Sequence, residues 1–205
     1  MRQRYELAPR QHTQLLLPMV EFLLGEAGIA LNAVDCFAFG RGPGSFTGVR
    51  IAASAIQGLA LAVDRPVVGI SSLAALAAGS EKKHESVLAV FDARMREVYL
   101  GAYHLDGEGL PSAYQEDQLA SAENVCLPEA GVWHGVGAGW PVHGQHLARR
   151  LGQRLMSVAA NLLPCAEQVA RLADGPARAG QGVSAEHALP NYLRRDVATP
   201  RRNVK

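Results

Sequence analysis

The sequence lacks any strong imbalance of charge. Its 205 residues hold 20 lysines and arginines against 19 aspartates and glutamates, which gives a formal net charge of +1. A chain so close to neutral has no overall field that selects nucleic acid, an anionic membrane or an acidic protein. A charged partner must therefore be met by a local patch of the surface.

Paired cysteines and long apolar runs are missing as well. The three cysteines, Cys36, Cys126 and Cys165, are far apart and odd in number, which argues against a disulfide framework and favours a reducing compartment. No apolar run approaches the ~20 residues that span a bilayer, and the N-terminus shows no signal-peptide pattern. We expect a soluble, cytoplasmic protein with no membrane contact.

One local excess of charge is present, at the C-terminus. Residues 194–205 contain one acid, Asp196, and five basic residues: Arg194, Arg195, Arg201, Arg202 and Lys205. Such a stretch is either a solvated tail or an arm that contacts RNA. We favour the tail, because no aromatic residues are interleaved with the basic ones.

The first 80 residues alternate between helix and strand patterns. The predicted elements are an extended start at residues 4–7, a helix at 11–25, a strand at 34–39, a glycine turn at 40–44, a helix at 45–63, a strand at 66–70 and a short helix up to residue 78. Pro18 either kinks the first helix or starts it. Ser71 or Ser72 can cap the last one.

A second subdomain is expected from about residue 83. Its predicted elements are strands at 87–91 and 98–105 joined by a turn at 92–97, a strand at 131–136, helices at 144–155 and 166–173, and a loop at 174–182. Residues 107–128 show no clear pattern. We therefore divide the chain into residues 1–82, residues 83–189, and a basic tail at residues 190–205 that can pack back on the first subdomain.

The glycine turn has the setting of a phosphate site. It lies between a strand and a helix, where free backbone amides and the helix dipole attract anions. The candidate contacts are Gly42, Gly44, Ser45 and Thr47, but a P-loop lysine and the GxGxxG spacing are both absent. The alternative is that the glycines only permit tight turning and close packing, and that Ser45 caps the helix.

Both N-terminal helices are apolar over more of their surface than one sheet contact requires. In the second helix Val49, Ala52 and Ile56 begin one apolar face, and small or apolar residues also occupy the opposite face. These surplus residues form a predicted partner interface: Leu16, Met19, Leu23, Ile51, Ser54, Ala55, Gly58 and Leu61. The alternative is that the two helices cover each other within one molecule.

Several segments resemble, in order, those that mark the TsaB (YeaZ) family. They are PRQHTQLLLPMV (9–20), GRGPGSFTGVR (40–50), QGLALA (57–62), FDARMREVY (91–99), GVGAGW (135–140) and PNYLRRDVA (190–198). The resemblance spans nearly the whole chain, and the GPGSFTGVR element is highly specific. It implies an α/β fold of the actin-like ATPase and sugar kinase (ASKHA) type, with two RNase H-like subdomains.

The resemblance also implies a function and partners. TsaB proteins form a heterodimer with TsaD, the transferase that places threonylcarbamoyl on adenosine in tRNAs reading codons that begin with A. TsaE, an ATPase, joins that pair. The implied role is a non-catalytic partner or activator of TsaD that self-associates as a homodimer in its absence and meets tRNA only through the complex. ATP and metal are expected on TsaD and TsaE, and no cofactor is expected on this chain alone.

The alternative is an enzyme of the same superfamily, either a nucleotide-dependent transferase or a metallopeptidase. TsaD carries a His-x-x-x-His metal pair where this chain has Ser72 and Leu76, so the resemblance implies no metal site. His143 and His146, three residues apart, are better explained as a polar helix face than as metal ligands. We find no catalytic residues, since Ser45 has no partner base in the sequence.

Two features are left open. The turn that carries Asp92, Arg94 and Arg96 either contacts a partner or merely closes a hairpin. TsaB sequences also carry two strands before the segment equivalent to residues 4–7, so about 30 residues of the usual N-terminal sheet are expected to be missing here. The N-terminal subdomain would then be incomplete, with an unpaired sheet edge and an exposed apolar face.

Overall fold

The computed structural model describes residues 1–8 and 11–194. The first half contains two strands and three helices in the predicted order: helix α1 at His12–Ala27, strand β1 at Phe37–Gly42, helix α2 at Phe46–Val63, strand β2 at Val67–Ser71 and helix α3 at Ser72–Ala78. Residues 4–7 belong to no strand, contrary to the expected extended start. The basic residues from Arg195 onward lie outside the described residues.

From residue 86 to residue 194, where the described part ends, the chain contains six strands and two α-helices. They are β3 at Ser86–Arg94, β4 at Glu97–Leu105, β5 at Pro111–Ala113, β6 at Gln118–Ser121, β7 at Trp133–Val136, α4 at Trp140–Leu151, β8 at Leu155–Ala159 and α5 at Ala166–Arg178. The predicted hairpin is confirmed, because β3 and β4 pair antiparallel and Met95 and Arg96 close the turn between them with positive φ angles of 52° and 64°.

Within residues 1–8 and 11–194 the strands form two sheets. Strands β1 and β2 pair in parallel with Phe37 opposite Val67, and their crossover is α2. The larger sheet has the order β5-β4-β3-β7-β8, and β6 also pairs with β4. Among the described residues β1 pairs on one side only, so its other edge is open.

Both faces of the larger sheet are covered, which the alternation along β3 explains. Leu88 and Val90 pack with α4 through Leu147, while Val87 packs with α3 through Leu76. Successive residues of a strand point to opposite faces, so a strand buried on both sides is apolar throughout. The smaller sheet packs Phe37, Phe39 and Val67 with apolar residues of α2, and α5 contacts the same two strands.

Serine side chains begin two of the helices, as the sequence predicts. Ser45 Oγ accepts a hydrogen bond from the Gly48 amide at 3.1 Å, and Ser71 Oγ accepts from the Leu73 amide at 3.2 Å. Each bond satisfies an amide that has no partner within its helix. Helix α1 begins before Pro18 and continues through it, and it ends at Gly28 in the left-handed conformation.

The predictions for the last third of the chain were partly wrong. Helix α4 spans Trp140–Leu151, not 144–155, and the residues after it form strand β8 beside β7. Helix α5 continues through Pro176 to Arg178, where a loop was predicted. Tertiary packing outweighs the local glycine and proline signals here, because Ala170, Ala173 and Ala177 all line a groove beside β1.

Candidate functional site

The glycine turn after β1 is filled by protein atoms. Gly42 has a φ of 103°, and a Cβ at this residue would lie 3.2 Å from the backbone oxygen of Asn191 and 3.5 Å from a methyl group of Val49. A Cβ at Gly44 would lie 3.3 Å from the same methyl group. The turn therefore needs glycine at position 42 so that the backbone of residue 191 can approach closely.

The other two phosphate candidates lie at the start of α2. Ser45 is its N-cap, and the Gly48 amide donates to the Ser45 hydroxyl while the Val49 amide donates to the Ser45 carbonyl. Thr47 is exposed. Two backbone donors of the first turn are thus already engaged. The phosphate contact at Gly42, Gly44, Ser45 and Thr47 stays a prediction.

Helix α1 has no fully buried residue among its 16. The large apolar side chains of Leu17 and Phe22 leave 52% and 47% of their surfaces in solvent. An amphipathic helix normally buries one apolar stripe against its own domain. This helix contacts α2, and Leu16, Met19 and Leu23 are half-buried. The two helices thus cover each other only in part, and the partner interface stays a prediction.

Helix α2 uses only one of its apolar faces for the sheet. Val49, Ala53 and Ala60 are buried on that side. On the other side Ser54, Gly58 and Leu61 are exposed, with 73% of the Leu61 surface in solvent. A Cβ on Gly58 would meet nothing within 4 Å. The second apolar face predicted for this helix is thus open at Ser54, Gly58 and Leu61, while Ile51 and Ala55 are half-buried.

The structure brings part of the predicted interface together. Leu16 of α1 and Ile51, Ser54 and Ala55 of α2 line one cavity of about 540 Å³. Leu23 lies with Leu16 and Ala55 in a larger groove of about 1060 Å³ that continues along the open edge of β1 to α5. The eight residues Leu16, Met19, Leu23, Ile51, Ser54, Ala55, Gly58 and Leu61 are called the helix-pair surface below.

A buried polar cluster was missed at the sequence level. Asp117 accepts hydrogen bonds from Ser71 Oγ, at 2.6 Å, and from the Tyr103 hydroxyl. Burial, and after it the charge of Asp117, raises the pKa of Tyr103 above its ordinary value. Because Ser71 ends β2 while Tyr103 lies in β4, the cluster ties the two sheets together. Its members are 14 to 46 residues apart, and no local signal predicts such a contact.

The prediction that His143 belongs to a polar helix face is wrong. Its side chain is buried, and its Nε2 lies 3.0 Å from Oδ1 of Asp92, whereas His146 is half exposed. The Arg94 amide also donates to Asp92 at 3.0 Å. Burial is the largest single influence on the pKa of Asp92, and it raises this pKa. The hydrogen bonds from His143 and Arg94, together with the positive charges of these two residues, lower it by more, so the net pKa lies below 3.8.

Substituting Asp92→Asn is therefore expected to reduce stability in a pH-dependent way. A carboxyl group whose pKa is lowered by folding stabilises the protein above its unfolded pKa, and this contribution is lost as the pH falls through the folded pKa. The gap between the urea midpoints of the parent and Asp92→Asn should be largest near neutral pH and should narrow below pH 3.8. A constant gap across that range would contradict the assigned contacts.

No metal site is visible in the part of the chain that the structure describes. Residues 1–8 and 11–194 contain no group of three or more histidine, cysteine, aspartate or glutamate side chains placed to hold an ion. At the positions of the TsaD metal pair, Ser72 offers only a hydroxyl and Leu76 is fully buried in the core. These residues do not fit a metal ion.

Helix α2 is long and apolar enough to cross a membrane by length and composition alone. This is weak evidence, since a core helix of a soluble protein passes the same test. Here Val49, Ala53 and Ala60 are buried against the protein itself.

Comparison with known proteins supports the α/β fold described above. A family model described as "TsaD: tRNA N6-adenosine threonylcarbamoyltransferase" matches residues 6–195. A solved structure described as YeaZ from Pseudomonas aeruginosa is 48% identical and superposes with a TM-score of 0.83, covering 93% of this chain and 88% of the other. The chain is thus an α/β protein of the actin-like, RNase H-like class, as predicted.

The particular family follows from the curated relatives. The tRNA threonylcarbamoyladenosine biosynthesis protein TsaB of Escherichia coli is 41% identical over 204 residues, which is 95% of this chain and 85% of that protein. A tRNA N6-adenosine threonylcarbamoyltransferase of Herminiimonas arsenicoxydans is also 41% identical, but over only 33% of this chain. The chain belongs to the TsaB (YeaZ) family, within the wider family that the TsaD model describes.

Proposed function

We propose that this chain is a non-catalytic partner subunit of TsaD in tRNA threonylcarbamoyladenosine modification. It acts in the cytoplasm, on tRNAs reading codons that begin with A, and TsaE joins the pair. The relatives that match it over most of its length are named for this biosynthesis. The TsaD family model matches residues 6–195, but the match to an individual transferase of that type covers only 33% of the chain, which supports a related but different role.

The open helix-pair surface is the observation that carries this proposal. A helix of 16 residues without one buried residue gains little stability from its own domain. Small residues such as Ser54, Ala55 and Gly58 let a second helix approach closely. Because a contiguous apolar surface of this kind marks a partner site, α1 and α2 pack against helices of TsaD, and against a second copy of this chain when TsaD is absent.

The residues at the expected catalytic positions support a role without chemistry. Ser72 and Leu76 occupy the places of the metal pair, and the glycine turn lacks the lysine of a P-loop. Asn191 also covers the turn through its backbone. ATP and metal are accordingly bound by TsaD and TsaE rather than by this chain alone.

Reconstitution tests the proposed function. Purified TsaD and TsaE with threonylcarbamoyl adenylate and an unmodified tRNA transcript should form modified adenosine at least tenfold faster when this chain is added. The chain without TsaD should form none. Equal rates with and without the chain would exclude the activator role.

Calorimetry of the isolated chain separates this proposal from the enzyme alternative. Titration with ATP, and separately with Zn²⁺, should show no tight stoichiometric binding. One tightly bound equivalent of either would favour a nucleotide-dependent transferase or a metallopeptidase instead.

A further inference from the structure

The described chain ends in a short strap across the glycine turn. This strap, residues 191–194, begins where the Asn191 amide donates to the carbonyl oxygen of Arg41 at 2.7 Å. It ends where Arg194 donates to the carbonyl oxygen of Ala93 at 3.1 Å. Four residues span at most about 14 Å. The strap therefore brings the start of α2 and the β3–β4 turn within reach of one ligand.

Two aromatic rings are exposed at the first end of the strap. Phe46 and Tyr192 leave 50% and 45% of their surfaces in solvent. The Arg50 guanidinium lies 3.5 Å from the centre of the Phe46 ring, and its Nε donates to the Tyr192 hydroxyl at 3.0 Å. The three side chains hold one another in place, so they present flat and partly cationic surfaces without further ordering.

An excess of positive charge is present at the second end. Arg94 and Arg96 flank the tip of the β3–β4 turn and are exposed, with 88% of the Arg94 side chain in solvent. The nearby acids are engaged, since Asp92 lies 3.4 Å from Arg94 and Glu97 lies 2.5 Å from Arg194. Four arginines therefore face two carboxylates in a chain whose overall charge is only +1.

We propose that this surface, formed by Phe46, Arg50, Arg94, Arg96, Tyr192 and Arg194, binds tRNA directly. Unpaired bases stack on the aromatic rings and the Arg50 plane, and phosphates contact Arg94 and Arg96. An acidic protein would use the arginines but offers a flat side chain only at particular positions, whereas every unpaired base of RNA has a flat face beside a phosphate, so RNA fits the combination better. This inference rests on the proposed function and adds a contact that the chain makes itself.

Titration of an unmodified tRNA transcript into the complex of the chain with TsaD, followed by fluorescence anisotropy at several salt concentrations, tests the inference. The double variant Arg94→Gln/Arg96→Gln should reduce the slope of log affinity against log salt by about 1.4 to 1.8, since each lost phosphate contact removes about 0.7 to 0.9. Tyr192→Ala should weaken binding about five- to a hundredfold with an unchanged slope, because stacking is lost while charge is kept.

A charge-matched control is available elsewhere on the surface. Lys83 and Arg149 are exposed and lie outside the patch, so Lys83→Gln/Arg149→Gln should leave affinity and slope unchanged. The inference is overturned if the patch variants bind like this control, or if polyglutamate displaces the transcript as well as poly(U) does. Gel filtration with TsaD tests separately whether the complex of the proposed function forms. If no complex forms, titration of the same transcript into the chain alone tests the patch.

Discussion

The variant Gly58→Arg is expected to weaken association with TsaD at least about 100-fold, since burying an unpaired charge costs about 3–5 kcal/mol. Gly58 is an exposed residue of the helix-pair surface on α2, and a Cβ there meets nothing within 4 Å. The folded chain thus has room for the arginine, and a helical glycine is replaced by a better helix former. Only a partner that packs closely on α2 would exclude the new side chain. Analytical ultracentrifugation with purified TsaD measures the effect.

Gly175→Arg is the matched control for this variant. Gly175 is also a helical glycine, in α5, and it is also exposed with nothing within 4 Å of a Cβ. Gly175 lines neither of the cavities that contain helix-pair residues, so its substitution should leave association unchanged. Should Gly58→Arg bind TsaD and self-associate as Gly175→Arg does, the assignment of the partner surface is wrong.

Substituting Gly137→Ala should lower the free energy of unfolding by about 2–6 kcal/mol, since backbone strain and overpacking each cost about 1–3 kcal/mol. Gly137 has a φ of 104°, and a Cβ there would lie 2.5 Å from Leu76 and 2.6 Å from the backbone oxygen of Val90. Both neighbours belong to the core, so neither can move without opening it. The melting temperature should fall by about 4–24 °C in a chain of this size.

Gly28→Ala separates strain from crowding. Gly28 ends α1 with a φ of 67°, and a Cβ there would meet nothing within 4 Å. Only the left-handed backbone is penalised, at about 1 kcal/mol. The melting temperature of Gly137→Ala, measured by circular dichroism, should therefore be well below that of Gly28→Ala. Equal melting temperatures would mean that the backbone after β7 does not pass as close to Val90 as described.

The local part of the fold was predictable from the sequence, because it depends on short-range chemistry. The strands that became β1 and β2, the helix between them and the caps at Ser45 and Ser71 follow from periodicity and hydrogen-bonding side chains. The β3–β4 hairpin follows from two apolar runs around a polar turn. Residues within a few positions of one another decide each of these features.

The long-range part was not predictable, because it depends on contacts between residues that are far apart in the sequence. Ser71, Tyr103 and Asp117 meet only because two sheets pack together. The helical state of residues 174–178 depends on packing against β1, and the burial of His143 depends on Asp92 in another element. The helix-pair surface lies between these cases. Its residues were predicted from the width of the apolar faces of the two helices. Its exposure to solvent depends on whether other elements pack on it, which the local sequence does not show.

The packing of α5 on β1 and β2 also bears on synthesis by the ribosome. The smaller sheet is made from residues 37–71, yet α5, which contacts it, ends at Arg178. More than half of the chain must therefore emerge before this sheet can complete its core. The β3–β4 hairpin pairs residues close in sequence and can form earlier. Between these two events the smaller sheet has exposed apolar residues, and a chaperone has its best opportunity to bind there.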